Sequence, residues 1–335
     1  MTRPSKEAKC VILFGAVFAL LTAGWQLVPR SIAGRFRPLV AEATVPPSSE
    51  WYLGNFTSQV EQFAVYDNLD GEADALKHAD VLFVGDSLIL FALQNQPMLQ
   101  HFFGERGMRY FFLAFSAEAD EIFPERIVRK FNLHPKWVIV DADDFFGMAP
   151  SPAASKAMAF GRFEGWKHRF ETETSFTVQR AIHRIFPYFG MPQWDFHPQW
   201  IWYRSKTDGI MWLAGARGNA KGVRDTPAEN AVWREARAGS FRSGELQAAE
   251  KFRNELESRG VRLALTWTPP NPGTNAGHLA SELQVPLIAT ETRGLSTVDG
   301  KHLDRGSSAR FTASFLAHFD KVLGNCGSKT NVICD

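Results

Sequence analysis

Three short apolar runs constrain this chain more than any other feature: ADVLFVG at 79–85, MRYFFLAF at 108–115 and KWVIVDAD at 136–143. Each is rich in β-branched and aromatic residues and is bounded by glycine or polar residues, as strands are. Between them lie segments of helical character. In DEIFPERIVRKFN, Ile127, Val128 and Phe131 can share one helical face, with Ile122 in the turn before them, and Pro124 fits only in the first turn. A repeated strand–helix–strand rhythm of this kind implies a parallel sheet.

The rhythm breaks over about 145–240, a stretch crowded with aromatics from Phe163 to Trp212, and then resumes. SGELQAAEKFRNELESRG predicts a helix, VRLALTWTPP a strand stopped by prolines, VPLIAT a short strand, and SSARFTASFLAHFDKVL a last helix with a capping serine. Residues 78–325 therefore read as one α/β domain, a three-layer parallel sheet of flavodoxin-like type with an aromatic-rich insertion. Ahead of it, residues 31–77 read as linker and lead-in, the first part carrying three prolines, and 326–335 read as a tail.

The N-terminus has a different character. CVILFGAVFALLTAGWQLV, residues 10–28, is uncharged and about long enough to cross a bilayer as a helix, so residues 1–30 read as a signal anchor or a long signal peptide. Arg3, Lys6 and Lys9 before the run and Arg30, Arg35 and Arg37 after it leave the orientation balanced. Cys326 and Cys334 are spaced either as a small disulfide loop of an oxidising compartment or as two tail thiols. Taken with the signal-like N-terminus, they favour a domain outside the inner membrane. The formal net charge of +1 shows no polyanion-binding excess, which argues against nucleic acid.

In open parallel sheets, ligands sit beyond the carboxyl ends of the strands. Three such ends are polar here: Gly85-Asp86-Ser87, the group Asp141, Asp143 and Asp144, and the loop STVDGKHLDRGSSARF before the last helix. In that loop Asp299 and His302 stand three apart, so the carboxylate can turn back onto one imidazole nitrogen. Ser87 is either a nucleophile awaiting these partners or the N-cap of the helix that follows, and Asp299 with His302 is either its base and orienting acid or a solvated capping pair.

GDSL directly after a strand, with Asp-x-x-His in the last loop before the C-terminal helix, resembles the SGNH/GDSL hydrolase superfamily over roughly residues 78–323. The resemblance implies a catalytic triad of Ser87, Asp299 and His302. It also implies an oxyanion site drawn from the second and third strand ends, at Ser116 or Ala117 and at Asp143. Two positions depart from the family pattern: LAFSAEAD lacks the expected glycine, and DADD puts Asp143 where an asparagine donor belongs. An ionised carboxylate aimed at an oxyanion would raise the barrier, since one correct donor is worth about 3–4 kcal/mol in the opposite sense. Either Asp143 points away or is protonated, or the hole is built from backbone N–H groups alone.

The anchor, the linker and the aromatic insertion make the layout similar to periplasmic SGNH-type proteins that work beside membrane-bound O-acyltransferases. By that likeness the chain is expected to be a serine acyltransferase of a polysaccharide or envelope glycan, with a membrane-bound O-acyltransferase as partner. An esterase or deacetylase and a catalytically silent scaffold are the alternatives. No cofactor is expected, and His134, His168, His183 and His197 show no metal-ligand spacing. In HPQWIWYR, Trp200, Trp202 and Tyr203 suit a sugar platform, a closed core or a membrane surface.

Overall fold

The computed structural model describes residues 49–55, 60–115, 120–185, 202–213, 226–227, 244–269, 271, 273–297 and 300–327. The chain separates into Met1–Thr44 and Val45–Asp335, and every described residue belongs to the second unit. The N-terminal apolar run lies outside the described residues, and among those described no helix is long and apolar enough to cross a membrane.

Five strands form a wholly parallel sheet: β2 (Val81–Gly85), β3 (Tyr110–Ala114), β4 (Trp137–Asp141), β8 (Arg262–Thr266) and β9 (Leu287–Ile288). Their spatial order is β3-β2-β4-β8-β9. That is the flavodoxin-like order, in which the topological switch point falls between β2 and β4. Successive side chains of a strand alternate between faces, and two cores result. Leu82, Val84, Phe111, Leu113, Val138 and Val140 pack one face, against α5 (Ile122–Lys130), α8 (Glu245–Glu257) and α9 (Thr274–Leu283). Val81, Phe83, Phe112, Ile139 and Ala264 pack the other, against α3 (Ser87–Ala92), α4 (Gln96–Glu105) and α10 (Arg305–Gly327). The fold is therefore a three-layer mixed α/β arrangement on a parallel sheet.

Part of the segment read as lead-in is folded: β1 (Trp51–Asn55), α1 (Glu61–Asp67) and α2 (Glu72–Lys77) precede the sheet, and Phe63, Val65 and Leu76 enter its core. Buried Glu61, Gln62 and Glu72 interrupt the apolar pattern that would have revealed them. The insertion is likewise tied into the fold. It supplies α6 (Pro152–Ala159), α7 (Arg162–Ile185), β5 (Trp202–Ser205), β6 (Met211–Leu213) and β7 (Thr226–Pro227). β5 pairs antiparallel with both β1 and β6, so a strand of the insertion binds the strand that opens the described domain. β7 pairs with β10 (Ser296–Thr297), just before the last loop.

The same ribbon covers the sheet's β3 edge. An uncovered edge strand exposes unpaired N–H and C=O groups. Here Asp208 O accepts from Phe112 N at 2.8 Å, and the Arg204 guanidinium donates to the carbonyls of Phe112 and Ala114. Arg204 is wholly buried, lies 4.8 Å over the Phe115 ring and pairs with buried Glu61 at 3.4 Å. A buried charge of this kind persists because its donors meet carbonyls and a carboxylate.

Candidate active site

The serine is delivered by three consecutive residues. Gly85 ends β2 in a tight place: a Cβ there would stand 3.0 Å from Ile89 Cγ2 and 3.1 Å from Asp141 Cβ on the neighbouring strand, so both would have to give way. Asp86 follows as the N-cap of α3, its carboxylate accepting from Leu88 N at 2.7 Å. Capping is thus done by Asp86 and not by Ser87. The serine becomes the first residue of the helix, and its hydroxyl is left to a different partner.

That partner is His302. Ser87 Oγ lies 3.0 Å from His302 Nε2 across 215 residues of chain, with the serine nearly buried. The pair sits beyond the carboxyl end of β2, beside the switch point between β2 and β4. His302 is carried by a short loop clamped at both ends. Thr297 bridges to Leu303, and Asp304 N donates to Ser296 O at 3.0 Å. Asp304 then accepts from Ser307 N at 2.8 Å in the first turn of α10. The residue holding that turn is therefore Asp304, where a serine was expected.

The imidazole also has an apolar support. The Phe91 ring lies on it at a centroid distance of 4.2 Å and 33°, and Trp202 of β5 meets Phe91 edge-on at 5.9 Å and 72°. Trp202 and Tyr203 are buried, so these two belong to the packed core and do not form an exposed sugar platform. Trp200 and His197 lie outside the described residues. Reading the sequence missed Phe91, whose only signal was its place one helical turn past Ser87, on the same side of α3.

Asp299, Ser116 and Ala117 lie outside the described residues. The pairing of β2 with β3 ends at Gly85 opposite Ala114, and Phe115 N donates to Gly85 O at 3.3 Å. The chain therefore enters 116–119 from beside the serine turn. Asp120 closes the gap, accepting from Ile122 N and Phe123 N at 2.8 and 3.0 Å, and burial pushes its carboxyl up to about 6.

Asp143 has a different job from the one its motif position suggested. Its Oδ2 accepts from Gly273 N at 2.8 Å and its Oδ1 from Ala276 N at 3.0 Å. Both carboxylate oxygens thus serve the N-terminus of α9. That helix has no side-chain cap of its own: its N-cap is Gly273, at φ +73°, where a Cβ would strike the Trp267 ring at 2.4 Å. Of the three readings left open for Asp143, the one in which it points away matches this geometry, and an oxyanion role does not.

Two buried carboxylates adjoin the serine turn: Asp86, its N-cap, and Asp141, whose Cβ lies against Gly85. Burial raises the carboxyl of Asp86 above its ordinary range, with the Leu88 amide opposing. Burial pushes the Asp141 carboxyl well up, and the neighbouring Asp86 charge acts in the same direction. Thr268 Oγ1 donates to Asp141 Oδ2, while buried Oδ1 finds no protein partner among the described residues. No group of three or more potential metal-ligating side chains occurs among the described residues.

A parallel α/β sheet that brings a serine and a histidine together at its carboxyl edge has the makings of a serine-nucleophile site. Scans found neither a family model nor a curated protein that matches the chain. Among solved structures it is similar to a GDSL-like lipase from Bacteroides thetaiotaomicron, at 13% identity and a TM-score of 0.35, over 78% of this chain and 99% of that one. So distant a likeness carries no argument, and the functional reading rests on the site.

Proposed function

We propose that the chain is a membrane-anchored, extracytoplasmic serine acyltransferase of SGNH type, acting on O-acyl groups of a polysaccharide or cell-envelope glycan. The observation that carries the reading is the contact between Ser87 Oγ and His302 Nε2 at 3.0 Å. For catalysis the neutral ring carries its proton on Nδ1, the side where Asp299 would accept it. Ser87 Oγ attacks the donor's carbonyl carbon while its proton passes to His302 Nε2. The tetrahedral adduct expels the donor alkoxide, which leaves with that proton. A sugar hydroxyl then attacks the acyl-serine, gives its proton to His302, and Ser87 recovers it as the ester of the acceptor departs. The oxyanion is held by backbone N–H groups, from Ser87 and from Ser116 or Ala117. A membrane-bound O-acyltransferase is the partner that would hand over the acyl group.

The geometry of Asp143 supports an active site over the silent scaffold. Of the two altered oxyanion positions that favour a scaffold, Asp143 is the one that would set an anion against the oxyanion, and this carboxylate faces α9 instead. Transfer and hydrolysis differ only in the acceptor. The test is the partition of acetyl groups from p-nitrophenyl acetate between water and an added oligosaccharide. Acyl sugar that rises with acceptor concentration is expected; acetate alone at high acceptor would make the protein an esterase.

A further inference from the structure

α7 is wired inside out. The face it lays on α1 is small and polar: Gly165 is so close that a Cβ would meet Asp67 Oδ2 at 2.8 Å, the His168 ring lies 4.9 Å from that of Phe63, Arg169 pairs with Asp70, and Thr172 is buried. The opposite face carries Phe163, Trp166 and Phe170 at i, i+3 and i+7, exposed by 78%, 59% and 57%. Phe160, just before the helix, is 52% exposed, and Trp166 and Phe170 stack at 5.9 Å and 10°. These four are the most exposed large apolar side chains among the described residues. A soluble helix turns such a stripe toward its own core.

We infer that this stripe is a contact for a lipid surface, into which its aromatic rings dip at the level of the headgroups. The inference rests on the anchored reading of residues 1–30. An apolar run of bilayer-crossing length ends at Val28, and β1 begins at Trp51. Even fully extended, the intervening chain spans at most about 80 Å, so the domain stays within reach of the membrane. Four partly exposed aromatics, at roughly 150–250 Å² each when fully buried, offer on the order of 500 Å². Charge adds little: Lys156, Arg162, Lys167 and Arg169 are nearly matched by Glu164, Glu171 and Glu173. The contact is therefore apolar and does not depend on anionic lipid.

The test uses the full chain in phosphatidylcholine liposomes containing a phospholipid with a diazirine in its acyl chain. After photolysis, adducts are mapped by peptide. Adducts are expected within 160–178 as well as within 10–28. The triple variant Phe163→Ser, Trp166→Ser, Phe170→Ser should lose those at 160–178 at least tenfold and keep those at 10–28, with the fold unchanged by circular dichroism. Adducts at 10–28 alone would overturn the stripe while leaving the anchor standing, whereas none in either region would overturn both. Sedimentation of the full chain as a dimer that the triple variant abolishes would assign the stripe to self-association and overturn the lipid contact.

Discussion

α7 and α10 are nearly equal in length, 24 and 23 residues, and both carry aromatics at helical spacing. They use them in opposite ways. α10 turns Phe311, Phe315 and Phe319, all wholly buried, onto the sheet, where their rings stack in sequence at 6.5 and 6.3 Å. α7 turns Phe163, Trp166 and Phe170 away from the protein and rests on glycine, histidine, arginine and threonine. The lesson is that spacing defines a face, while the partner of that face is decided by what the rest of the chain brings to it.

The largest effect that could break this contrast is on α10. Phe315→Ala should destabilise the protein by about 3–5 kcal/mol in urea unfolding, since a wholly buried ring leaves a cavity when removed. The same question of facing applies, with a smaller effect, to Asp143. Asp143→Ala should cost about 1–2 kcal/mol through the lost cap on α9, with Ser87 reactivity retained. A rise in reactivity of about 100-fold on removing the carboxylate would instead place it at the oxyanion. The smallest effect is expected on α7. Phe163→Ser should leave stability within about 0.5 kcal/mol, because the ring is exposed. A loss matching that of Phe315→Ala would abolish the distinction between the two helices.

The same distinction separates what could be read in the sequence from what could not. β2, β3 and β4 were legible because strands of a parallel sheet, buried on both faces, read as unbroken apolar runs. The meeting of Ser87 with His302 was legible because both lie at strand-end loops that this topology brings to one edge. β1 was not, because its five residues find their partner in β5, about 150 positions later, and a pairing that long leaves no local pattern. Arg204 stood in the sequence only as the charged residue after the aromatics of HPQWIWY, yet it holds the carbonyls of the β3 edge. Asp143 matched a family position by number, but the glycine that leaves α9 uncapped sits 130 residues away. Residue type was visible in each case, and direction was not.

One measurement bears most directly on the account: labelling of the full chain by a fluorophosphonate, with the modified peptide identified by mass spectrometry. A phosphonyl group on Ser87, lost in Ser87→Ala and strongly slowed in His302→Asn, is the predicted result. Labelling that survives Ser87→Ala, or a wild type that takes no label on Ser87, would contradict it.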